Sequence, residues 1–153
     1  MPPEAKAAIA ASVQASNSPS AQAGDKTGGF HEEGGIWGTD AAGKAVAVPA
    51  VPGKAADPRA EKNASIDVYS SANPALKQSL ASVGGEWHVH PSGSMLGLDG
   101  NTRFFDQGPS KDTDIPRAAG PMNIVVGAGE KKVYFYDKSG VIGTMKLKDF
   151  LRH

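Results

Sequence analysis

Trp87-His88-Val89-His90-Pro91-Ser92-Gly93 is the stretch from which the fold and chemistry of this 153-residue chain are read. Together with Glu86 it begins as a strand, EWHVH over 86–90, in which residues two apart face the same way with Cα atoms roughly 6.5 Å apart. Two imidazoles at that spacing, His88 and His90, can converge on one zinc ion at about 2.0–2.1 Å from each nitrogen. Trp87 and Val89 then face the opposite way, toward a core. Pro91 has no N–H to give to a ladder, so the strand ends where a site would open. The competing reading is a pair of histidines exposed or hydrogen-bonded at a strand end.

Strand and helix signals alternate outward from this point. Upstream, Asn73-Pro74 forms a helix start, with Leu76, Leu80 and Val83 on one face and Gly84-Gly85 as the stop. Before it, SIDVY (65–69) alternates like a strand, and PGKAADPRAEKN (52–63) reads as a surface loop. Phe30–Trp37 and AVAVPAV (45–51) form a hairpin pattern, with Pro49 placing the second strand at an edge. Residues 3–15 suit a short Ala-rich helix opened by Pro3 that either docks or frays. Residues 17–29 read as a mobile connection, so the expected organisation is a helix and linker over 1–29 and a domain over 30–153. Downstream, 91–111 is expected to be long and irregular. A short helix over 112–119 follows, with Asp114 as its cap, and then strands at 123–127, 132–136 and 141–145 and a helix at 146–151. The pattern is that of an α/β or α+β domain, a mixed β-sheet flanked by helices.

Composition excludes several classes. Sixteen basic and sixteen acidic side chains cancel, leaving no cationic field for nucleic acid or an anionic membrane. No cysteine is present, which removes disulfides, thiolate metal sites and cysteine nucleophiles, so a metal must be held by His and carboxylates. Nineteen glycines and eleven prolines indicate many loops without reaching a low-complexity composition. No apolar run spans a bilayer, and the start lacks the features of a secretory signal. The expected location is the cytoplasm, or outside the cell by an export route that reads no such signal.

Pro109-Ser110-Lys111-Asp112-Thr113-Asp114-Ile115 places a hydroxyl and two carboxylates before a predicted helix. The plain reading is a helix-start box in which Ser or Asp accepts from free backbone N–H groups. A catalytic zinc also needs a third protein ligand and an open position for water, which an Asp here would complete.

His-x-His-Pro, then Pro-Ser, then Asp before a helix resembles the JAB/MPN metalloprotease signature, also called JAMM. Glu32 in His31-Glu32-Glu33-Gly34-Gly35-Ile36-Trp37 matches that family's early glutamate, with Glu33 as the alternative. Glu-x-Gly-Gly before a large apolar residue is also similar to bacterial JAB-like domains at the ends of Rhs-type polymorphic toxins. The likeness covers roughly 30–136 and implies a JAB/MPN-like, cytidine-deaminase-like layered fold. It departs from the family in two places. Ser110 stands twenty residues after His90, further than usual, and the residue three after Ser110 is Thr113, with Asp112 one earlier and Asp114 one later. Asp114 is preferred as ligand and Asp112 stays open.

The resemblance implies a zinc ion held by His88, His90 and Asp114, with Glu32 as general base and Ser110 as oxyanion donor. The implied reaction is hydrolysis of a peptide, isopeptide or related amide, with a protein or peptide as substrate and no nucleic-acid or membrane partner. A metal-free JAB-shaped interaction module is the alternative. His31 is expected to be structural or exposed, and Tyr134 and Tyr136 to pack. Phe104 and Phe105 are expected either to cap the core or to line a substrate groove. Other zinc chemistries lack their motifs: there is no His-x-Glu with Cys-x-x-Cys and no His-Glu-x-x-His.

Overall fold

The computed structural model describes residues 1–69 and 72–152. The chain runs α1 (Pro3–Ser16), β1 (Gly34–Thr39), β2 (Ala45–Pro49), a 3₁₀ turn (Pro58–Ala60), α2 (Pro74–Gln78) and β3 (Ser82–His90). It continues through β4 (Ser94–Leu96), β5 (Thr102–Phe104), α3 (Asp114–Arg117), β6 (Asn123–Gly127), β7 (Lys132–Asp137), β8 (Gly140–Lys146) and α4 (Leu147–Arg152). Six strands form one mixed sheet in the order β2-β1-β3-β6-β7-β8, and β4 pairs with β5 in a separate two-stranded sheet. Only the β3–β6 pair is parallel, and the other neighbours in the large sheet are antiparallel.

The two faces of the large sheet carry different chemistry. On one face Trp87, Val89, Ile124, Val126 and Val133 pack against Ile9 of α1 and Phe150 of α4, all buried. The N-terminal helix therefore docks on the sheet, and Trp87 Nε1 donates to Ser12 Oγ at 3.0 Å. On the opposite face Ile36 and Val48 are covered by Val68 and Ala72, and Val125 and Tyr136 by Ala118. The same face of β3 carries Glu86, His88 and His90, and it is the face that holds the pocket.

Several elements differ from the sequence expectations. Residues 17–29, expected to be a mobile connection, are tied down by the buried Asp25. Its carboxylate accepts from the backbone N–H of Thr27, Gly28 and Phe30 and contacts His31 Nδ1 at 2.7 Å. The expected strand at 65–69 is not formed: Ser65 makes one isolated bridge to Lys54, and Ile66 and Val68 lie over the sheet and point into it. Their alternation marks contact with a sheet, not membership of one.

The helix expected to run to Val83 stops at Gln78, capped at its start by Asn73 Oδ1, which accepts from Ala75 N. Gly84-Gly85, read as a helix stop, lies inside β3. A Cβ on Gly85 would sit 1.9 Å from the Met122 carbonyl oxygen, so the strand needs a bare Cα there. The stretch 91–111 holds the β4–β5 hairpin, and Gln107 ties its return by donating to the Pro91 carbonyl and accepting from Gly129 N. The helix expected over 112–119 is confined to Asp114–Arg117. From β6 to the C-terminal helix the elements fall within a residue or so of their expected places, and His153 lies outside the described residues.

Candidate metal centre

Strand β3 projects His88 and His90 to one side, as its alternation requires, and their Nε2 atoms approach to 3.1 Å. Asp114, the first residue of α3, faces them, with Oδ1 3.5 Å from His88 Nε2 and Oδ2 3.6 Å from His90 Nε2. Two ligand atoms about 2.0–2.1 Å from one zinc at the tetrahedral angle are roughly 3.4 Å apart. The three distances lie near that edge, with the Asp114 carboxylate turning one oxygen toward each imidazole. Of the described residues, these three form a group of side chains that could hold a metal ion. The donor set, two imidazoles and a carboxylate, suits a borderline divalent metal.

The sheet register brings the early glutamate to the same place. Antiparallel pairing sets Gly34 of β1 opposite His88 of β3, so the chain just before β1 lies beside His90. Glu32 Oε1 is 3.9 Å from His90 Nε2. Gly34 permits this approach, since a Cβ there would sit 2.4 Å from the Trp87 carbonyl oxygen. Glu33 faces away and contacts His31 Nε2 at 3.0 Å, while the other nitrogen of that buried imidazole contacts Asp25. His31 is thus structural. Asp112 is exposed and outside the cluster.

Ser110 lines the pocket but caps a turn. Its Oγ accepts from the N–H of Thr113 and Asp114 and contacts the Thr113 hydroxyl, while its own N–H donates to Asp114 Oδ2 at 2.6 Å. Ser110 and Asp114 brace each other, which holds the Asp114 carboxylate over the two histidines. The expected Asp114 cap is therefore corrected: Asp114 is the first helical residue, and it accepts back from Ser110.

Burial and mutual charge set the protonation of the site. Burial pushes the Glu32 carboxyl up to about 7, and the Asp114 charge adds to this against the pull of His88. For His88, burial opposes the imidazolium, but contact with Asp114 and the charges of Glu32 and Glu86 outweigh it and raise the group to about 9. His90 is pushed down to about 4 by burial and by the charge on His88. Asp114 falls to about 2 because the two histidines overcome its own burial. Without metal, the site at neutral pH holds one cationic and one neutral imidazole against a carboxylate.

These groups form part of the floor of a pocket of about 640 Å³. Phe105, packed edge-on against Phe30 with ring centroids 6.0 Å apart, lines it, whereas Phe104 is exposed on the hairpin. Sequence reading missed Glu86, a buried carboxylate of the pocket wall that accepts from the Tyr136 hydroxyl at 2.7 Å. Burial raises its carboxyl above the ordinary range. The signal was present, since Glu86 stands two before His88 and shares its strand face. Tyr136 packs as expected and also makes this bond.

Comparisons of the chain with family models, curated proteins and solved structures found no match. Among the described residues no helix is long and apolar enough to cross a membrane.

Proposed function

We propose that this protein is a zinc-dependent hydrolase of an amide bond, of JAB/MPN (JAMM) type and fold, acting on a peptide, isopeptide or related amide. The observation that carries the reading is the convergence of His88, His90 and Asp114 at tetrahedral-edge distances, with Glu32 beside them. Zinc bound there would supply Lewis acidity and bring the pKa of a bound water to about 7. The chain supplies the rest. His88, His90 and Asp114 would hold the ion, and Glu32, raised to about 7, is matched to accepting a proton near neutrality and returning it to the leaving amine. The Ser110 hydroxyl, whose oxygen accepts from two backbone N–H groups, would turn its proton from the Thr113 hydroxyl to offer it to an oxyanion. A secreted effector or toxin is one setting for such a domain.

The test is metal analysis with a matched variant. Purified protein reconstituted with zinc should retain one ion per chain, and His88→Ala should lose it. Glu32→Gln should keep the zinc while amide hydrolysis falls by about two to four orders of magnitude. Failure to retain zinc would favour an interaction module without turnover, and full activity in Glu32→Gln would assign the base elsewhere.

A further inference from the structure

Among the described ionisable groups that line the pocket, Glu86 is buried yet belongs neither to the ligand set nor to the proposed base. It is 5% exposed, against exposed positions for Asp67, Asp106 and Arg117. One phenol, Tyr136, donates to Oε1. The ion pairs among the described residues all involve other carboxylates, and Arg117 at the same end of the pocket stays outside pairing distance. A buried carboxylate is costly without a cation in contact, and here His88 and Arg117 act on Glu86 only from a distance while one phenol is its side-chain hydrogen-bond donor.

Its position is fixed by the strand. Glu86, His88 and His90 follow one another on the same face of β3, so Glu86 lies one strand repeat, roughly 6.5–7 Å, beyond the ligand pair. It lies toward Tyr69 and Tyr136 and away from Glu32, which pairs with the His90 end. A substrate with its carbonyl over His88, His90 and Asp114 can therefore extend in this direction to a buried negative charge.

We propose that Glu86 anchors a protonated amine of the substrate, so that the amide hydrolysed carries a primary ammonium group on the part of the substrate that runs from its carbonyl along β3 toward Glu86. This rests on the metal-hydrolase reading and adds a substrate class to it. The ammonium donates to the Glu86 carboxylate, and the Tyr136 hydroxyl holds that carboxylate in place without competing for its charge.

The test uses two metal-binding probes and no turnover. The zinc-loaded full chain is titrated calorimetrically with 6-aminohexanohydroxamate and with hexanohydroxamate, which share the chelating end and differ only in the ammonium. The charged probe should bind about ten- to a hundredfold more tightly, the range of one charge-assisted hydrogen bond. Glu86→Gln should abolish the preference while hexanohydroxamate still binds the zinc-loaded variant, which also reports that the variant site is folded. The wild-type ratio requires no variant. Equal binding of the two probes by the wild type would overturn the anchor and leave the metal reading standing. A preference that survives in Glu86→Gln would assign the ammonium to another carboxylate and overturn the proposal. Binding of neither probe would overturn both readings.

Discussion

Replacing Asp25 tests whether the segment before β1 is a built part of the site. Its two carboxylate oxygens have two donors each: Thr27 N and Gly28 N at Oδ1, Phe30 N and His31 Nδ1 at Oδ2. Asp25→Ala leaves all four without an acceptor. Thr27 is exposed and its N–H returns to water, so the lasting loss is at Gly28, Phe30 and the buried His31. Three lost bonds to a buried carboxylate, at about 1–1.5 kcal/mol each after partial resolvation, give a destabilisation of about 3–5 kcal/mol. Asp25→Asn should lose less. Its amide nitrogen faces two backbone donors in one orientation, but Phe30 N and a retautomerised His31 in the other.

The assay is urea unfolding at pH 7 followed by tryptophan fluorescence, repeated at lower pH. Despite its burial, contact with His31 and the three N–H groups holds the Asp25 carboxyl below its ordinary value. A group depressed in the folded state stabilises above its unfolded pKa, near 3.9, and that stabilisation is lost as pH falls through the lower folded value. The gap between wild type and Asp25→Ala should thus be full at pH 7 and shrink below about pH 4. A loss under about 1 kcal/mol, or a gap unchanged down to pH 2, would refute the structural role given to this carboxylate.

Three further outcomes are expected. Zinc binding should compete with the His88 proton. With that group raised to about 9, apparent affinity should climb about tenfold per pH unit between pH 6 and 8.5, read by chelator competition, and a flat profile would oppose the ligand assignment. Gly34→Ala places a Cβ 2.4 Å from a backbone oxygen that cannot yield, so it should cost about 1–3 kcal/mol in chemical denaturation. By forcing β1 off β3 it should also reduce hydrolysis more than zinc retention. Ile9→Ala opens a cavity against Trp87 and Val89 and should cost about 2–5 kcal/mol, whereas an undocked helix would leave stability unchanged.

What could be read from the sequence depended on whether a local pattern has one structural meaning. EWHVH alternates with period two, and both its strand state and the opposed facings of Trp87 and His88 are found in the structure. The last three strands are bounded by turn residues and are equally local. Gly84-Gly85 has two meanings, a helix stop or a strand that needs close approach, and the deciding atom is the carbonyl of Met122, 37 residues away. Asp25 looked like one polar residue in a small-residue linker, because its partners are backbone N–H groups, which a sequence does not distinguish. For Glu32 over Glu33 the decisive facts are a register and the His31 contact, neither of which is local.

The long gap between His90 and Asp114 does not separate them, and the topology explains why. β3 and β6 are parallel neighbours, so the chain leaving His90 must cross back over one face of the sheet before β6 can begin. That face is the one carrying Glu86, His88 and His90, because the other is filled by α1 and α4. α3 therefore passes over the histidines whatever the length of the excursion before it, and the β4–β5 hairpin adds residues to the crossover without changing where it returns. What sets Asp114 over the histidines is the crossing, with Ser110 and Asp114 bracing each other at its landing point. The pocket lies between that face of β3, from Glu86 to His90, and the returning chain over 105–117, so the crossover that delivers Asp114 also walls the space in which a ligand would sit.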